Sequence, residues 1–205
     1  NLELYAGFEE ITDDSAYLYY SEVEGGVVIT GLNSVGRYQT TIGIPSAIGG
    51  KEVIGIGYKN VNPTDAKQSA AFTSTYLRTV ILPSTLTYVG DWAFFDCPEL
   101  RQVVFAGDKV SSIGAGAFAG CSSLETLDLP DNVTSIGKFA FAGISANGEK
   151  KCEIEALKPY GEFFAAQSAM FELKLSETSK LSLLGDYAFY NCGLFENVKL
   201  SKVMR

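Results

Sequence analysis

The chain has 205 residues, is 46% hydrophobic and 20% charged, and carries a formal net charge of -8 with no histidine. That composition excludes a disordered tail, and no apolar run reaches the roughly 20 residues that cross a bilayer. Its acidic balance, without clustered Lys or Arg, excludes a phosphate backbone or an anionic membrane surface as partner. Without histidine there is no Ser-His-Asp or Cys-His arrangement and the commonest metal ligand is gone, so the chain reads as non-catalytic, with no cofactor and no metal.

At the N-terminus, the β-prone runs Tyr17 to Tyr20 and Val27 to Thr30 flank Glu24-Gly25-Gly26 and predict a hairpin. The acidic residues Glu9, Glu10, Asp13, Asp14, Glu22 and Glu24 lack the alternating oxygen spacing of a calcium loop and read as a solvated face. Residues 38–205 are expected to form a repeat body, and 1–37 a β cap over its open end. Ile42, Ile44 and Pro45, then Val53, Ile56 and Gly57, read as an opening half-formed unit, and Tyr58 to Ala70 as an insertion.

From Phe72 onward a phenylalanine recurs, at Phe72, Phe94, Phe118, Phe141, Phe164 and Phe189, separated by 22, 24, 23, 23 and 25 residues. A period in the twenties marks supersecondary units that cannot bury their own apolar face and must stack on neighbours. Each well-formed copy places a glycine four residues before the phenylalanine (Gly90, Gly114, Gly137, Gly185) and an alanine directly before it (Ala93, Ala117, Ala140, Ala188). The glycine marks a turn or a close approach, and the ring is expected to fill the interior. An apolar triplet comes next: Leu77, Val80, Leu82; Leu100, Val103, Phe105; Leu124, Leu127, Leu129; Phe195, Val198, Leu200. The last two alternate about an intervening residue, as in a short strand with one buried face. One strand per repeat, each with a long return, predicts a single parallel sheet of about six short strands with turns or short helices opposite.

Between Gly143 and Leu184 the signature fades. The spacing predicts one degenerate unit there, with Phe164 in the phenylalanine position, Cys152 and Ile154 on one rung, and Leu173 and Leu175 on the next. Cys97, Cys121 and Cys192 share a repeat position that Ile144 fills once, which predicts a buried core site. Ladder side chains point alike, a poor start for a disulfide, and no Cys-x-x-Cys spacing suits zinc. Asn132-Val133-Thr134 matches a glycosylation acceptor, a pattern meaningful only in a eukaryotic secretory pathway.

The units Ile113 to Pro130 and Pro130 to Ile144 resemble the BspA-like, bacterial surface-antigen type of leucine-rich repeat, and Ile44-Pro45-Ser46 with Ile48 to Val53 after it resembles the start of such arrays. The resemblance implies a right-handed leucine-rich repeat solenoid of the α/β type, β-rich, on an exported or cell-surface bacterial protein whose signal segment is absent from this chain. It also implies binding or adhesion. The residues between the buried strand positions point away from the interior and form the candidate binding face: Thr79, Ile81, Gln102, Val104, Thr126, Asp128, Glu153, Glu172, Lys174, Asn197 and Lys199. A host or cell-surface protein is the expected partner. The alternative is a glycan, stacked on Trp92, Tyr58 or Tyr76, or a spacer role in a larger exported protein.

Overall fold

The computed structural model of the chain describes residues 14–59, 70–72, 76–145, 163–164 and 172–190. In chain order the strands are β1 Leu18–Val23, β2 Gly26–Leu32, β3 Thr41–Gly43, β4 Ala47–Ile48, β5 Lys51–Ile56, β6 Thr79–Leu82, β7 Tyr88–Val89, β8 Gln102–Phe105, β9 Ser112–Ile113, β10 Thr126–Asp128, β11 Ser135–Ile136, β12 Ile144–Ser145, β13 Phe163–Phe164, β14 Glu172–Lys174 and β15 Leu183–Leu184. Short 3-10 turns at Asp14–Tyr17 and Gly36–Tyr38 are the helical elements among the described residues.

The strands predicted from the triplets that begin at Leu77, Leu100 and Leu124 form where those triplets place them, whereas Phe195, Val198 and Leu200 lie outside the described residues. β3, β6 and β8 pair in parallel, with Ile42 beside Val80 and Val80 beside Val103. β10 pairs in parallel with β14, Leu127 beside Leu173. Val80, Leu82, Leu100, Leu124, Leu127 and Leu173 are all buried, because alternate strand residues turn to the interior. Among the described residues the expected single sheet is thus two pieces, one of three strands and one of two, with no ladder joining β8 to β10.

The opposite side is a second, longer parallel ladder that the triplets do not announce. β2, β5, β7, β9, β11 and β15 follow one another, and β1 adds antiparallel to β2 as the predicted hairpin. Its two-residue strands bury Val89, Ile113 and Ile136. A hydroxyl precedes each of these strands and reinforces the ladder. Thr87, Ser111, Thr134 and Ser182 each donate from the backbone N–H and from the side chain to a carbonyl one rung earlier, those of Ile54, Thr87, Ser111 and Thr134 respectively.

The Ala-Phe segment is the remaining wall. Its alternate N–H groups reach the next rung: Phe72 to Ala93 O, Phe94 to Ala117 O, Phe118 to Ala140 O and Phe141 to Ala188 O. The rings therefore stack inside the three walls. Phe72–Phe94, Phe94–Phe118, Phe118–Phe141 and Phe141–Phe189 have centroids 4.8, 5.2, 5.6 and 5.2 Å apart and interplanar angles of 19°, 1°, 1° and 9°. The spacing is near the separation of adjacent β-strands, so backbone pairing and ring contact share one repeat distance. The alanine beside each ring is buried. The glycine is set by contact rather than by dihedral angle: a Cβ on Gly137 would meet Ala115 N at 2.5 Å and Gly114 C at 2.6 Å.

The expected rung at Cys152 and Ile154 is not inserted in the stack. β14 pairs directly with β10, β15 directly with β11, and Phe189 lies directly on Phe141. Phe164 sits instead on β13, antiparallel to β12, with Ile144 beside Phe164 and Ser145 beside Phe163. The sequence carries the reason: Tyr160 and Phe163 stand where the other units have the glycine and the alanine, and side chains of that size do not suit a close approach between rungs. Cys152, Ile154 and residues 60–69 of the expected insertion lie outside the described residues.

Candidate binding face

Strand alternation decides which side chains leave the interior. On β6, β8 and β10, Thr79 is partly exposed, Gln102, Thr126 and Asp128 are exposed, and Val104 is partly exposed. Lys174 on β14 is exposed and lies beside Asp128, its Nζ 3.9 Å from the carboxylate. Glu172 is placed by register next to Thr126. Glu153, Asn197 and Lys199 lie outside the described residues.

Two expectations are corrected. Ile81 retains only 5% of its surface, so it is no part of a solvent-facing patch; it sits on the central strand of its sheet, with Gly43 and Val104 beside it on the flanking strands. Trp92, offered as a glycan-stacking ring, is 1% exposed. Its residue adopts φ 59°, shared at the same repeat position by Gly116, Phe139 and Tyr187, and the indole lies over Gly116, where a Cβ would come within 2.1 Å of the ring. Phe95 packs edge-on against it at 5.3 Å.

Tyr58 and Tyr76 are exposed as expected, and the structure adds Tyr38 and Thr41. Tyr38 stacks on Tyr76, with centroids 5.9 Å apart and planes 21° from parallel. The pairing was legible in principle: Thr41-Ile42-Gly43-Ile44-Pro45 has the pattern of Thr79-Val80-Ile81-Leu82-Pro83, which places Tyr38 and Tyr76 three residues ahead of matching strands.

Cys97 is buried and Cys121 partly buried, both committed to the backbone, and Cys192 lies outside the described residues. Cys97 donates to the Phe72 carbonyl, and Cys121 to the Phe94 carbonyl at 3.1 Å, each reaching the preceding phenylalanine of the stack. Burial, with the neighbouring Cys97, pushes the Cys121 thiol well above its usual range. Beyond β10, Asp131 accepts from the hydroxyls of Ser176 and Thr178, which with Lys180 hold its carboxyl below the usual carboxylate range. Lys180 Nζ also donates to Asn132 Oδ1 at 2.6 Å, so these polar groups tie one rung to the next. Among the described residues no group of three or more His, Cys, Asp or Glu is placed to hold a metal ion, and no helix is long and apolar enough to cross a membrane.

Similarity follows the same lines. The model for the BspA type leucine rich repeat region matches in 6 copies over residues 68–154 and 160–205. Among solved structures, the T. pallidum leucine rich repeat protein TpLRR is 21% identical with TM-score 0.55, covering 83% of this chain and 80% of that one. A leucine-rich repeat protein from Bacteroides capillosus ATCC 29799 is 22% identical with TM-score 0.49, covering 58% and 83%. The pneumococcal vaccine antigen PcpA is 16% identical with TM-score 0.54, covering 90% of this chain and 48% of that one. At these identities the likeness is one of fold. No curated protein matches the chain. With the repeat model matching more than half of the sequence and its phenylalanine, glycine and alanine positions building the stacked rungs, the chain belongs to the BspA type leucine-rich repeat family.

Proposed function

We propose that this chain is a non-catalytic, exported or cell-surface repeat segment that binds a protein partner through the outward face of the β6, β8, β10 and β14 strands. The observation that carries the reading is the regular row Thr79, Gln102, Thr126 and Asp128, held on short strands whose other face is packed on the core. A stacked-repeat scaffold presents such side chains rigidly, so less ordering entropy is lost when a partner docks. Glu172 and Lys174 continue the row directly from β10, which leaves no place in it for Glu153, while Asn197 and Lys199 remain assigned to it as candidates. Surface exposure is supported by the family and by the description of one structural relative as a vaccine antigen. The β1–β2 hairpin, joined to β5, acts in this reading as the cap formed by residues 1–37.

A photocrosslinking residue placed at Gln102 or Asp128 is expected to capture a partner polypeptide that the same probe at the exposed Lys138 on the turn wall does not. Equal capture from all three positions, or from none, excludes this face.

A further inference from the structure

The corner where the chain enters β3, β6 and β8 stands apart from that face in chemistry. Asn33 Oδ1 accepts from the N–H groups of Val35 and Gly36, fixing the short turn that carries Arg37 and Tyr38. Tyr38 and Tyr76 then stack on each other while 71% and 60% exposed. Stacked rings this open are unusual for a role in packing, because burial is what rewards an aromatic side chain.

One step nearer the strands, the Arg78 N–H donates to Thr40 O at 2.7 Å and the Arg101 N–H to Arg78 O at 2.9 Å, so the two arginines sit on successive rungs. Arg37, Arg78 and Arg101 are all exposed. Glu99 is the acid among them, 3.8 Å from Arg78, and Glu125 holds the arginine position in the following unit, where the basic strip ends. Three arginines against Glu99 and Glu125 leave a local positive excess of one on a chain of net charge -8.

We infer that this corner is a binding site for an acidic oligosaccharide, with a sugar ring stacked on the Tyr38–Tyr76 pair and its carboxylate or sulfate groups held by Arg78 and Arg101. A guanidinium presents paired donors that match either anion, and the flat tyrosine faces take the apolar side of a pyranose ring. Size separates this from protein docking. The corner spans three rungs, about 10 Å at the strand spacing, whereas a stable protein interface covers about 800 Å² on each partner. The site is independent of the protein-binding reading above, since its tyrosines and arginines are not in that row.

The test is calorimetric titration of the whole chain with a chondroitin sulfate tetrasaccharide, neutral chitotetraose and a hexaglutamate peptide. The acidic tetrasaccharide is expected to bind, more weakly as salt rises, and chitotetraose is not. Tyr76→Ala and Arg78→Gln should each weaken binding about tenfold with unchanged thermal unfolding, whereas Tyr38→Phe should retain it. Absence of binding by the acidic tetrasaccharide overturns the assignment. So does equal affinity for chitotetraose, tighter binding of hexaglutamate, or unchanged affinity in a folded Tyr38→Ala/Tyr76→Ala double variant.

Discussion

The Phe141 ring lies on the Phe189 ring at 5.2 Å and 9° from parallel, although about two repeat lengths of chain separate them. Neighbours in the stack are therefore not always neighbours in the repeat count. The same skip recurs on the other walls, where Ser182 donates to Thr134 O and Thr126 pairs with Glu172.

Because Ser145 is paired antiparallel with Phe163, the two ends of segment 146–162 already lie side by side. Replacing 146–162 by Asn-Gly, a pair suited to a two-residue hairpin turn, should preserve the fold. The circular dichroism spectrum should be retained and the thermal midpoint should shift by only a few degrees; loss of cooperative unfolding would show that a rung had been removed.

The Phe72, Phe94, Phe118 and Phe141 rings of the column are buried in the core, so they and the exposed tyrosines should differ sharply. Phe118→Ala is expected to cost about 3–5 kcal/mol, the range for emptying a buried phenylalanine site. Tyr76→Ala should stay within about 0.5 kcal/mol, as exposed substitutions do. Urea denaturation of the two variants measures the contrast.

Close approach, not conformational freedom, explains the repeated glycine, and this separates two substitutions. Gly137→Ala drives a methyl group into the backbone of Ala115 and Gly114 and should destabilise by about 1–3 kcal/mol or more. Gly49→Ala meets open space at φ 59°, so only the left-handed backbone is penalised, by about 1 kcal/mol. Denaturation midpoints of the two variants, compared with the parent chain, give the difference.

Two groups contribute pH dependences of opposite sign. The Cys121 thiol is raised in the folded chain, so its contribution is fully present below the unfolded thiol value near pH 8.5 and is lost as pH rises toward the folded value. Stability should fall on the alkaline side, and Cys121→Ala should flatten that fall. Asp131 is lowered in the folded chain, so its contribution is present above the unfolded value near pH 3.9 and disappears as pH drops through the folded value. Asp131→Asn should flatten the acid limb, read by denaturation midpoints across pH.

The period, the buried triplets, the glycine and alanine positions and the N-terminal hairpin were all determined by the sequence, because each follows from a local requirement of one unit: which side chains must leave water, and where a Cβ has no room. That Phe164 is not between Phe141 and Phe189 could be read only from the folded chain, since this depends on which distant rung pairs with β10 and β11. The tertiary structure alone decided that Ile81 and Trp92 are covered, because exposure is set by what neighbouring strands and rungs place above a side chain. The second ladder and the Ala-Phe wall were missed for a different reason: the hydroxyl, aliphatic, glycine, alanine and phenylalanine positions repeat plainly, but strands of two residues are too short to show alternation, and only the backbone pairing between rungs reveals them as ladders. The Tyr38–Tyr76 pair joins both sources, two tyrosines written in the chain and brought face to face by the parallel register of β3 and β6.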